Sequence, residues 1–128
     1  MILAVRHDMN EEQKMFYSKA VTFKKNGDLK VAKQILLELA KECPQSTAVL
    51  SVLGSTCYDS GEFDEATLIF KRAAELSPAL ESVSLGLFHS LWKNERQNEA
   101  MEELKRFQTI SHSKDYAEIV KEINERFE

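Results

Sequence analysis

Residues 54–78 read GSTCYDSGEFDEATLIFKRAAELSP. Gly54, Gly61, Ala66, Phe70, Ala73 and Pro78 place small residues, one aromatic and a proline at set intervals within this stretch. Pro44 and Pro78 lie 34 positions apart, and at that offset the segments before them match place by place. Gly27, Gly61 and Glu95 align, as do Ala32, Ala66 and Ala100; Leu36, Phe70 and Leu104; and Leu39, Ala73 and Phe107. A period of this length marks stacked supersecondary units, none of which can bury its apolar face alone.

Each unit reads as two helices. Leu50, Leu53, Gly54 and Cys57 follow the i, i+3, i+4, i+7 pattern, and Ala66, Ile69, Phe70 and Ala73 repeat it after a break. Gly61 adopts positive φ at low cost and so ends the first helix. Asp28, and Glu62 with Asp64, put negative charge where the second helix begins, which its dipole favours. Pro44 and Pro78 cannot continue a helix and bias the residue before them to extended backbone. Gly54 and Ala66 are then small because two antiparallel helices touch there, while Phe70 fills the space toward the next unit. A bulky side chain at Ala66 overpacks that contact, at a cost of about 1–3 kcal/mol.

The totals agree with an all-α protein. A chain of 128 residues, 43% of them hydrophobic, is the size of one domain with a packed core. Four Gly and two Pro against 30% charged residues leave too few turn formers for a many-stranded β fold. A net charge of −4 argues against coating nucleic acid. The opening MILAVRHDMN has five apolar residues before Arg6 and His7, too short for a signal h-region or a membrane span, so a soluble cytoplasmic protein is expected. Cys43 and Cys57 form no CxxC motif and are expected to be reduced structural thiols.

From about Gln13 to His112 the chain resembles the tetratricopeptide repeat family, most strongly over residues 47–80. The resemblance implies an α-solenoid of three helical hairpins, with repeats near 13–46, 47–80 and 81–112. Departures fall mainly in the third repeat. The bulky first-helix residue is Phe16, then Leu50, then Ser84; the small packing site is Ala20, then Gly54, then Phe88; and His112 stands where proline belongs. The third hairpin is therefore expected to pack less regularly.

After it, SKDYAEIVKEINERFE (113–128) sets Tyr116, Ile119, Val120, Ile123 and Phe127 along one stripe, with Glu118, Lys121, Glu122, Glu125 and Arg126 opposite. Stacked repeats need such a terminal helix, polar outside, to cover the last apolar surface. Seven helices are expected near 11–25, 28–42, 47–60, 62–76, 80–93, 96–110 and 114–127. Residues 1–10 form a tail and 11–128 a single domain.

In the family, first helices line a concave groove that holds a segment of another protein. The resemblance places Lys14, Tyr17, Val21, Lys24 and Lys25 of the first unit on that face. Ala48, Ser51, Ser55, Tyr58 and Asp59 follow from the second, and Ser82, Leu85, His89, Trp92 and Lys93 from the third. In the third unit Leu80, Val83, Leu87, Phe88 and Leu91 form the core stripe, so Leu85 and Trp92 widen the apolar surface. They contact either other helices of this chain or a partner. Tyr17, Tyr58 and Trp92 offer aromatic anchors around a floor of small residues. Lys24, Lys25 and Lys93 place positive charge at the rim, favouring a guest with carboxylates. Members of the family that clamp the carboxylate tail of heat-shock chaperones use Lys and Asn where this chain has Tyr17, Val21, Val52, Ser82 and Gly86, so no such clamp is expected.

No catalytic team is visible. His7, His89 and His112 stand apart, and the chain has no Gly-rich phosphate loop, HExxH motif or GxSxG elbow. Asp64 with Glu65, and Glu102 with Glu103, read as solvated faces with i,i+4 partners. The expected function is a non-enzymatic module, without metal or cofactor, that binds a peptide or helix of a partner protein as a chaperone or adaptor. In size and architecture it is similar to small type III secretion chaperones, and a toxin-neutralising immunity protein would look the same. The alternative is a self-associating structural protein that uses MILAV or an uncovered first helix as its interface.

Overall fold

The computed structural model describes residues 9–111 and 114–127. Seven helices follow in order: α1 (Glu11–Lys25), α2 (Leu29–Glu42), α3 (Thr47–Asp59), α4 (Phe63–Leu76), α5 (Glu81–Lys93), α6 (Gln97–Gln108) and α7 (Lys114–Phe127). The described residues contain no strand. Each helix packs on the next up to α6, building three antiparallel hairpins into an α-solenoid. His7 and the apolar start lie outside the described residues, as do His112 and the side chain of Phe127.

Local chemistry sets the helix ends. Asn10 and Gln13 form a capping box: Asn10 Oδ1 accepts from the Gln13 N–H at 2.8 Å, and Gln13 Oε1 accepts from the Asn10 N–H at 2.9 Å. Ser46 caps α3 through the Val49 N–H at 3.2 Å. The turns inside the three hairpins share one hydrogen-bond pattern. The N–H groups of Asp28, Glu62 and Arg96 reach back to the carbonyls of Phe23, Cys57 and Leu91, and those of Gly27, Gly61 and Glu95 to Lys24, Tyr58 and Trp92. That pattern needs a left-handed residue, and φ is +86° at Gly27, +77° at Gly61 and +60° at Glu95.

Glu95 alone of the three carries a Cβ into this conformation, which costs about 1–2 kcal/mol for an L-residue. Part of that cost is offset because glycine loses more chain entropy on folding. Glu95→Gly is therefore expected to stabilise the protein by about 0.5–1 kcal/mol, read as a higher urea midpoint. A lower midpoint would mean that the Glu95 side chain makes a compensating interaction.

Phe70 joins the second and third hairpins. Its ring is buried between α3 and α5, and a Cβ built at Gly54 would come within 2.9 Å of it, one at Gly86 closer still. Gly86→Ala gains about 1 kcal/mol of helix propensity but forces the ring out of a packed site, which typically costs about 1–3 kcal/mol. A net loss is expected, larger than for Gly54→Ala, and recovered in part when Phe70→Leu is added. Unfolding free energies of the four-member cycle check the coupling.

The third hairpin turns with the same hydrogen-bond pattern as the others, and its departures have a cause. At the small site of the second unit Gly54 faces Phe70; in the third the sizes are exchanged, with Phe88 and the smaller Leu104 both buried in one core. Ser84 is small because α7 occupies the space. The Tyr116 hydroxyl hydrogen-bonds to Ser84 Oγ, which donates to Glu103 Oε2 at 2.5 Å. Arg106 then grips Glu103 through two bonds of 2.7 Å and donates to the Pro78 carbonyl at 3.0 Å. This chain ties α5, α6, α7 and the loop before α5 together.

Two expectations are corrected here. Glu103 does not lie on a solvated face: it is buried, and its charge is balanced by Arg106. Leu80 is not in the core stripe: it precedes α5 as the N-cap and is 44% exposed.

Candidate functional site

The row of first helices comes from the packing. α1 touches α3, and α3 touches α5, while the second helices approach one another less closely. The solenoid is thus tighter on the α1–α3–α5 side, which makes that side concave. Side chains that leave the hairpin cores on this row form the candidate site.

In the first unit, Tyr17 and Val21 are half-buried and Lys25 is exposed. Lys24 differs from expectation. Its ammonium pairs with Asp59 of α3 at 3.0 Å, so its charge is neutralised within the chain rather than offered at the rim. In the second unit Ser51 and Ser55 are half-buried, and the Ser51 hydroxyl has no hydrogen-bond partner among the described residues. Tyr58 lies edge-on to Phe63, with ring centres 5.2 Å apart, and burial and then the Asp59 carboxylate push its phenol pKa above the ordinary value.

In the third unit Ser82, His89 and Lys93 are exposed, and Leu85 is half-buried against the core. Trp92 is also half-buried, stacked on Phe88 at 5.7 Å. His89 meets the same Phe88 ring edge-on at 5.4 Å; partial desolvation and then Lys93 hold its imidazole below the ordinary pKa. Lys25 and Lys93 form no ion pair among the described residues.

Sequence reasoning missed the contribution of α7. Phe88, His89 and Trp92 of α5 face Ile119, Glu122, Ile123 and Arg126 of α7 across an open cavity of about 150 Å³. Its walls are mostly apolar, with one carboxylate and one guanidinium at the edge. A 150 Å³ apolar cavity holds a benzene-sized group. The available signal was the width of the α7 stripe, Tyr116, Ile119, Val120 and Ile123; in the structure Tyr116 is fully buried, while Ile119, Val120 and Ile123 remain partly exposed.

Elsewhere polar side chains bridge units: Lys33 reaches Glu62 at 2.7 Å and Glu65 at 2.9 Å, and Asn94 donates to Asp64 at 2.7 Å. Thr47 and Ser77 share a bond of 2.8 Å within the second unit. Both cysteines are free; burial pushes the Cys57 thiol up to about 11, which keeps it protonated and inert at neutral pH. Among the described residues no cluster of three His, Cys, Asp or Glu could hold a metal ion, and no helix is long and apolar enough to cross a membrane.

Residues 48–80 match the tetratricopeptide repeat family. No curated protein matches the chain. Among solved structures, the first TPR of Spaghetti (RPAP3), bound to the HSP90 peptide SRMEEVD, aligns with a TM-score of 0.81 at 12% identity, covering 95% of this chain and 98% of that one. The type III secretion translocator chaperone SycD of Yersinia enterocolitica aligns at 0.77 and 16% identity, covering 91% and 89%. These two likenesses are of fold alone. MamA AMB-1 aligns at 0.71 and 25% identity over 84% of this chain, which spans 60% of the length of that relative.

Proposed function

Since the chain is a tetratricopeptide-repeat protein, we propose that it is a non-enzymatic binding module holding a peptide or helix of a partner protein along α1, α3, α5 and α7. One observation carries this reading. The half-buried aromatics Tyr17, Tyr58 and Trp92 stand on one row, and that row ends in the cavity that Trp92 and His89 share with Ile119 and Ile123. Aromatic side chains already held by neighbours lose little entropy on binding, and an apolar recess beside them takes an anchor side chain.

The guest has a chemical profile. It carries one large apolar residue for the cavity and carboxylates for Lys25, Lys93 and Arg126, which surround the row on an otherwise acidic chain. Polar groups along the row stand singly and without a nucleophile–base pair, which favours binding over chemistry. RPAP3 with its HSP90 peptide and the chaperone SycD support the class of function, a chaperone or adaptor that takes a protein segment. The guest differs from a chaperone tail gripped by Lys and Asn, because Tyr17, Val21, Val52, Ser82 and Gly86 offer neither. Two free cysteines fit a reducing cytoplasm.

The test compares proteins retained from native cells by the wild type and by a folded Tyr58→Ala, Trp92→Ala variant. A single stoichiometric protein lost with the variant supports the reading. Retention that ignores both substitutions sinks it.

A further inference from the structure

The two ends of the solenoid are finished differently. At the trailing end α7 leaves Asp115, Glu118, Lys121 and Glu125 exposed. At the leading end α1 buries only Ala20, where α3 and α5 each bury a full stripe. Met15 is 49% exposed and Phe16 38%. One and two periods on, the same two places hold Val49 with Leu50 and Val83 with Ser84, all of them buried. In a stacked unit this is a packing face, and on α1 it carries two large apolar side chains at the surface.

The charges beside them have a pattern. Glu12, Met15, Phe16 and Lys19 stand at i, i+3, i+4 and i+7, so they form one stripe along α1, and all four are exposed. Among the described residues neither Glu12 nor Lys19 belongs to an ion pair; Lys19 lies over the Phe16 ring, 5.6 Å from its centre. Beside Phe16 opens a groove of about 340 Å³ that Ile35 and Leu39 also line. Read backwards, the stripe keeps its apolar centre and exchanges its charges. It is therefore complementary to a copy of itself laid antiparallel. With a two-fold axis between positions 15 and 16, Met15 faces Phe16 of the second copy and Glu12 faces its Lys19, at both ends of the contact.

We propose that two copies of the chain associate through this stripe, with α1 antiparallel to α1, an apolar centre of Met15 and Phe16 and a Glu12–Lys19 ion pair on either side. The symmetry closes the assembly at two copies. Head-to-tail stacking would instead set Met15 and Phe16 on the polar side of α7. Tyr17, Val21 and Lys25 lie on the opposite side of α1 at 3.6 residues per turn, so the pairing does not use the row proposed to hold a guest. A single helix pair is a small interface, which makes the dimer reversible, and the exposed ion pairs set its register more than its strength.

Sedimentation equilibrium at low salt, from about 1 to 500 μM, brackets association of this size. The wild type is expected to pass from monomer to dimer across that range. Phe16→Ser should raise the dimer Kd about thirtyfold or more. Glu12→Lys alone, or Lys19→Glu alone, sets like charges against each other at both ends and should weaken the dimer about tenfold. An equimolar mixture of these two single variants brings a lysine opposite a glutamate at every end, and should associate as tightly as the wild type. Circular dichroism checks that each variant keeps its helices. A chain that stays monomeric throughout would overturn the proposal, as would a dimer indifferent to both charge reversals or a mixture no tighter than its components. The Tyr58→Ala, Trp92→Ala variant should dimerise like the wild type whatever its effect on a guest; loss of the dimer there would move the interface to the groove and overturn the proposal.

Discussion

Replacing Tyr116 with alanine is expected to lower the unfolding free energy by about 3–5 kcal/mol, the range for removing a buried aromatic. Its ring is 1% exposed and packs on Phe107 at 5.2 Å and on Phe88 at 6.2 Å, so the loss leaves a void where α5, α6 and α7 meet. Tyr116→Phe separates the ring from the hydroxyl. Ser84 still donates to Glu103 while its bond with the Tyr116 hydroxyl is lost, at about 1 kcal/mol. Urea unfolding followed by the emission of Trp92, the only tryptophan, reads both variants beside the junction they disturb. An unchanged midpoint in Tyr116→Ala would mean that α7 does not dock.

The same hydroxyl predicts sensitivity to alkali. Burial raises the Tyr116 phenol from 10 to about 12. The unfolded chain therefore loses this proton first as pH rises, so the contribution is whole below pH 10 and lost between about 10 and 12. Two pH units correspond to about 2–3 kcal/mol. Cys57, raised by burial from 9 to about 11, adds a loss of the same sign beginning lower. Tyr116→Phe should remove the upper part of this decline and leave the lower part.

What the sequence declared and what it concealed divide by range. Helix limits are local: Asn10 and Ser46 cap, Gly27 and Gly61 turn, and Pro44 and Pro78 interrupt, so the seven helices stand within about two residues of expectation. Gly54 was legible as a small packing site for the same reason, but its partner was not: the period set it against Ala66, and the side chain it faces is the Phe70 ring. Glu103 was not, because beside Glu102 it has the pattern of a solvated acid; only Ser84, 19 positions earlier, and Tyr116 beyond α6 reveal that it is buried. The Lys24–Asp59 pair joins neighbouring units, and no spacing within one helix announces it. For the candidate site, the period identified the first-helix positions of the row but not how deep each side chain sits. Nor could it tell that α7, read as a lid, shares a cavity with Trp92. A repeat pattern reports what the units have in common, and this cavity lies where the repeat stops.

The second large effect is on binding. Trp92 is stacked on Phe88 and both line the α5–α7 cavity, so a guest side chain entering there meets a ring that is already positioned. Trp92→Ala should cost about 2–4 kcal/mol of affinity, or roughly 30- to 1,000-fold in Kd. Trp92→Phe, which keeps the stack, should cost much less. Tyr58 is held edge-on by Phe63, and Tyr58→Ala should weaken the complex further. The two losses need not add, since both act on one guest. Circular dichroism of each variant distinguishes lost contact from lost fold. Reversing Lys25 and Lys93 to glutamate should chiefly slow association, by about tenfold at low salt and less at high salt, because exposed rim charges steer encounter more than they hold the complex. If the aromatic variants bind as the wild type does while the charge reversals alone matter, the guest is held by the rim and the cavity is not its anchor.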